Sequence, residues 1–78
     1  MANTIGYING KNGEYPVYHN APRDSSLYYR DSAGSSTSTR GFKVSSSGNG
    51  FTGPDGSHYA SASSVLSAIQ NKYNNGGI

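Results

Sequence analysis

The sequence predicts an α+β domain, a small antiparallel sheet of three to five strands packed by one C-terminal helix. Three observations carry this expectation. Short runs such as SLYYR at 26–30 and RGFKVS at 40–45 alternate between two sets of side chains, the period of a half-buried strand. Turn signals separate these runs: Asn9-Gly10, Asn12-Gly13 and the GPDG stretch at 53–56. After residue 60 the period changes. Ala62, Val65, Leu66, Ile69 and Tyr73 recur at helical spacing and form one apolar stripe.

Each element follows in chain order. Residues 4–8 form the first strand. The two Asn-Gly pairs supply the positive φ angles of a tight hairpin, and residues 14–19 return, with Tyr15, Val17 and His19 on one face and Tyr18 on the other. Pro16 has no N–H to donate, which places this strand at an edge or pairs it on one side. In residues 26–30, Leu27 and Tyr29 face one way, Tyr28 and Arg30 the other. Ser, Thr and Gly dominate 31–39, read as a loop, and 45–50, read as a turn. Between them, 40–45 puts Phe42 and Val44 inward and Lys43 outward. A hairpin over 51–60 follows, with Pro54 and Gly56 setting its turn. Ser61 or Ser63 caps a helix over about 62–74, and the tail 75–78 frays. The stripe then lies across one sheet face, against Tyr29, Phe42, Val44, Phe51 and Tyr59, with Leu66 and Ile69 nearly buried.

Composition bounds the rest. A chain of 78 residues makes one domain with a thin core. Hydrophobic residues are only 32%, but charged ones are 13%, too few for charge-driven disorder. Seven Tyr and two Phe therefore carry much of the apolar area. With no Cys there is neither a disulfide nor a thiolate site. No apolar run is long enough for a membrane span or a signal-peptide core, so the expected compartment is cytoplasmic or nuclear. A net charge of +2 permits a polyanionic partner without requiring one.

Catalytic and cofactor chemistry finds little support. His19 and His58 stand far apart, without the ligand spacing of a zinc site. Asp55 and His58 share a tight turn in which Asp is a common turn residue, and no nucleophile elbow accompanies them. Gly48, Gly50, Gly53 and Gly56 surround a hairpin and not the strand-to-helix turn of a phosphate loop. No enzyme activity, metal or cofactor is expected. One constellation remains. Tyr18, Tyr28, Arg30, Arg40 and Lys43 combine aromatic rings with cations on strands that pair. Such a set stacks on bases and contacts phosphates, or it is a solvated sheet face with ordinary Tyr–Arg packing. Lys11, Arg23 and Lys72 are candidates to extend it. Arg40 and Lys43 are three apart and point to opposite faces of a regular strand, unless a bulge or an early strand end at Gly41 intervenes.

Phe51, Pro54, Gly56, Tyr59 and Ser61 follow the order aromatic, turn, aromatic, Ser, helix. In this order residues 50–69 resemble the hairpin-plus-helix part of methyl-CpG-binding-type domains. The resemblance implies DNA binding. Family members are richer in Lys and Arg around the turn, where this chain carries Asp55, Ser57 and His58. The favoured expectation is a non-enzymatic interaction module that binds a protein partner or its own copy. Tyr-, Ser-, Gly- and Asn-rich surfaces suit such contacts. The alternatives are a small nucleic-acid-binding domain using the Tyr/Arg/Lys sheet face, and carbohydrate binding through exposed Tyr and Asn.

Overall fold

The structure is a computed structural model that describes residues 3–20, 24–46 and 49–78. Six strands precede one helix: β1 (Asn3–Gly10), β2 (Gly13–Asn20), β3 (Asp24–Arg30), β4 (Ser36–Val44), β5 (Phe51–Thr52), β6 (His58–Tyr59) and α1 (Ala62–Asn74). Every strand pairs antiparallel with its sequence neighbour, in the order β1-β2-β3-β4-β5-β6. The α+β class holds, but the sheet has six strands and not three to five. The GPDG hairpin adds two strands of two residues each, and both pair with neighbours.

The helix touches β1 at one end of the sheet and β4, β5 and β6 at the other. A twisted sheet whose two ends reach the same helix must curl around it, so the strands form a half-barrel with α1 in its mouth. Ile8, Tyr15, Val17, Leu27, Tyr29, Phe42, Val65 and Ile69 fill the inside. Val44, Phe51, Tyr59 and Leu66 pack against that cluster while partly exposed. Leu66, expected to be nearly buried, is therefore only half-buried, and Val65 takes the deeper position beside Ile69. The Leu66 side chain lies along β1, where a Cβ on Gly6 would clash with Leu66 Cδ1. The missing side chain lets the helix approach the strand.

Local chemistry sets the boundaries. Gly10 pairs with Gly13, so the two Asn-Gly signals resolve into one two-residue turn at Lys11 and Asn12. Ser61 accepts the Ser64 N–H at 3.3 Å and caps α1. At the other end Gly76 donates to the Tyr73 carbonyl at 3.1 Å and Gly77 to Lys72 at 2.8 Å. That pair of bonds, with Gly76 at φ 76, is a Schellman closure, and Ile78 beyond it packs on the core. Gln70 plugs the free edge of β1. Its Oε1 accepts the Asn9 N–H at 2.6 Å and its Nε2 donates to the Asn9 carbonyl at 2.9 Å. A side-chain amide thus stands in for a missing strand.

The largest departure from a regular sheet is in β4. Tyr28 pairs with Ser38 and Ser26 with Lys43, so Leu27 alone faces Thr39, Arg40, Gly41 and Phe42. Arg40 (φ 63) and Gly41 (φ 119) bend this bulge through the left-handed region. Thr39 and Phe42 are consequently both buried, though three residues apart. The Thr39 hydroxyl, fully buried, donates to the Leu27 carbonyl at 2.8 Å. At Gly41 a Cβ would lie 2.5 Å from Pro54 Cβ. Because β4 starts at Ser36, the loop expected over 31–39 is confined to 31–35. Ser36, Thr37 and Ser38 look like loop by composition but pair with Arg30, Tyr29 and Tyr28.

Candidate interaction face

Register places the outer surface of the half-barrel. Val17 and Tyr29 are cross-strand partners inside, so Tyr18 and Tyr28, the next pair, face outward. Tyr7 pairs with Pro16, which precedes Val17, and so shares that outer face. Arg30 faces the same way as Tyr28, two residues along β3.

The Tyr18 and Tyr28 rings stack, with centroids 5.9 Å apart and planes 29° from parallel. The Arg30 guanidinium carbon lies 5.2 Å from the Tyr18 ring centroid, a cation–π distance. The Tyr18 hydroxyl bonds to the Ser36 hydroxyl. Between them these neighbours leave Tyr18 only 6% exposed, although it stands on the outer side of the sheet. Tyr28 is half-buried and reaches along β3 to Asp24, its hydroxyl donating to Oδ2 at 2.7 Å. The Ser26 N–H donates to Oδ1 of the same carboxylate at 2.9 Å. The Tyr28 hydroxyl and then the Ser26 N–H hold the Asp24 carboxyl below its usual 3.8. Reciprocally, the bond to Asp24 raises the Tyr28 phenol above 10.0.

The structure therefore brings together Tyr18, Tyr28 and Arg30. Lys43 faces the same side through its pairing with Ser26, four residues from Arg30 along the strand, roughly 13 Å. Arg40 belongs to the bulge, and its carbonyl accepts from Lys72 Nζ at 3.3 Å on the helix side. Lys72 Nζ also lies 5.7 Å from the Phe42 centroid, and Lys11 sits in the β1–β2 turn, so neither joins the outer group. Arg23 lies outside the described residues. Three members of the face escaped sequence reasoning. Tyr7 is out of phase with Ile8 in the first strand, a legible signal of an outward side chain. It is 58% exposed, the single exposed large hydrophobic residue among those described. Pro16 beside it and Asp24 beneath Tyr28 complete the patch.

The histidines stand apart, His19 in β2 and His58 in β6. Among the described residues no group of three His, Cys, Asp or Glu side chains is placed to hold a metal ion. Asp55 Oδ1 accepts the Ser57 N–H at 3.1 Å, which makes it a turn residue. No helix of the described residues is long and apolar enough to cross a membrane. Compared with protein-family models, curated proteins and solved structures, the chain matches none.

Proposed function

We propose that this chain is a non-enzymatic interaction module whose outer sheet face docks on another protein. The observation that carries this reading is Tyr7. A large aromatic that is 58% exposed sits opposite Pro16 and on the same face as Tyr28 and Arg30. Tyr and Arg are the residue types that anchor protein interfaces. Around them Thr4, Ser36 and Ser38 supply a polar rim. The face carries both signs of charge, with the Asp24 carboxylate against Tyr28 and the Arg30 and Lys43 cations nearby, as suits a protein surface better than a phosphate backbone.

A second reading is nucleic-acid binding, and the placement of Lys43 favours it. Lys43, Arg30 and Tyr28 share one face, as contacts to phosphates and a base require, and the resemblance of residues 50–69 points the same way. Two features weigh against it. Arg30 already covers the Tyr18 ring, and the Asp24 carboxylate is 2.7 Å from the Tyr28 hydroxyl, where it repels phosphate.

A photo-crosslinking amino acid at position 7, compared with one at the exposed helix position Ser67, separates the readings in cells that make the protein. Protein adducts, heterologous or with a second copy, are expected from position 7 and not from position 67. Nucleic-acid adducts from position 7 would move the assignment to the second reading. Equal adduct yields from both positions would remove the face from consideration.

A further inference from the structure

A second site lies at the opposite side of the sheet, where the C-terminal end of α1 meets β2 and β3. A cleft of about 520 Å³ opens there, lined by Lys11, Tyr15, Tyr29, Asp31, Tyr73 and Asn74 among others. This volume is in the range of small-molecule sites. Its floor is three tyrosines. Tyr15 and Tyr29 stack 3° from parallel at 5.7 Å, and Tyr73 stands edge-on to both, at 6.1 and 5.7 Å. Two of the hydroxyls are used by the fold: Tyr15 accepts the Asn12 N–H at 3.2 Å, and Tyr73 accepts the Lys11 N–H at 3.1 Å.

The third is not. Tyr29 lines the cleft, and its hydroxyl, which is not among the buried polar atoms left without a partner, opens to solvent there. It can exchange water for a ligand hydroxyl. Around it other hydrogen-bonding capacity is half used in the same way. Asp31 Oδ1 accepts from Ala33 and Ser35 N–H groups at 3.0 and 2.9 Å and holds the 31–35 turn, which leaves Oδ2 to accept. Asn74 Oδ1 accepts from Gln70 at 3.1 Å, which leaves the Asn74 amide nitrogen to donate. Lys11 adds an ammonium at the rim.

We propose that this cleft binds a neutral carbohydrate. A sugar ring offers an apolar C–H surface to the tyrosine floor and adjacent hydroxyls that both donate and accept. Such hydroxyls match a free carboxylate oxygen, a free amide nitrogen and a free phenol in one small site. A free amino acid can engage the same groups, its carboxylate accepting from Tyr29, Asn74 and Lys11 and its ammonium donating to Asp31, but a small one leaves most of the cleft unfilled.

The test is a titration of ¹⁵N-labelled protein, followed by amide shifts, with glucose, N-acetylglucosamine and their β-1,4-linked disaccharides, and with glycine as the zwitterionic arm. At least one sugar is expected to give saturable shifts at Tyr29, Asp31 and Asn74. Tyr29→Phe deletes only the free hydroxyl, and Asp31→Asn keeps the oxygen that holds the turn. Each variant should retain the parent spectrum elsewhere and bind about tenfold or more weakly. Absence of a saturable shift with every sugar overturns the proposal. So does a response to glycine alone, or undiminished sugar binding by Tyr29→Phe.

Discussion

Tyr28 and Tyr29 are adjacent in sequence and belong to two different aromatic clusters. Tyr29 stacks on Tyr15 inside the half-barrel, and the helix closes over both with Tyr73. Tyr28 stacks on Tyr18 outside, and the lid there is one Arg side chain and one Ser hydroxyl. Both clusters bury a tyrosine to a similar degree, Tyr29 to 7% and Tyr18 to 6% exposure. They differ in what does the burying. Secondary structure that cannot leave without unfolding covers the inner one. The outer one is covered by one solvent-exposed Arg side chain and one Ser hydroxyl. Burial alone therefore does not tell which aromatic cluster the fold depends on, whereas the identity of the cover does.

The comparison breaks most sharply under the helix. Ile69 is fully buried against the inner cluster, so Ile69→Ala should cost about 2–5 kcal/mol. In a domain of this size that is enough to populate the unfolded state at room temperature. Chemical denaturation followed by far-ultraviolet circular dichroism reads it. A loss under about 1 kcal/mol would mean that α1 is not docked on the inner face.

A smaller effect is expected at the bulge. Thr39→Val keeps the shape and removes the hydroxyl that serves the Leu27 carbonyl. The buried acceptor is left unsatisfied, at a cost of about 1–3 kcal/mol. Arg40 is the one non-glycine residue with positive φ among those described, so Arg40→Gly should be neutral or slightly stabilising, as relief of the left-handed strain offsets the added chain entropy. A strongly destabilised Arg40→Gly would show that the side chain, and not the backbone shape, holds the bulge.

The smallest effect belongs outside. The Asp24 carboxyl titrates below 3.8 because Tyr28 and Ser26 donate to it. The stability from that pairing is present above the unfolded pKa and is lost as pH falls through the lower folded value. The Tyr28 phenol titrates above 10.0, so its share is present below that value and lost as pH rises through the folded one. Tyr28→Phe should therefore melt slightly below the parent at neutral pH, with the gap closing in acid below 3.8 and again in strong base. A gap independent of pH would mean that the Tyr28–Asp24 bond contributes nothing in solution.

The same contrast explains what the sequence discloses. Strand period and turn residues place the elements, and the stripe in the tail places the helix, because these signals are local. Leu27, Tyr29 and Phe42 read as inward and are buried. The bulge is half-legible: Gly41 marks the place where one could intervene, but Arg40 carries no signal of a left-handed backbone, and the shared burial of Thr39 and Phe42 stays hidden. Ser36 to Ser38 are hidden because a Ser/Thr strand looks like loop until its partner is known. Tyr18 reads as wet because the side chain that shields it comes from another strand. The cleft joins Tyr15, Tyr29 and Tyr73 across distant parts of the chain, and no spacing announces it.

The central claim is that the outer face docks on a partner without holding up the fold. It is tested most directly by Tyr7→Ser combined with Tyr28→Ser, with a photo-crosslinker at the outward position Thr4. Adduct yield and melting temperature are measured on the same protein. The account predicts that adducts fall to background while the melting temperature drops by only a few degrees, the scale of a loss of about 1 kcal/mol in a small domain. Undiminished adducts from a folded variant, or collapse of the fold with these two side chains removed, would contradict it.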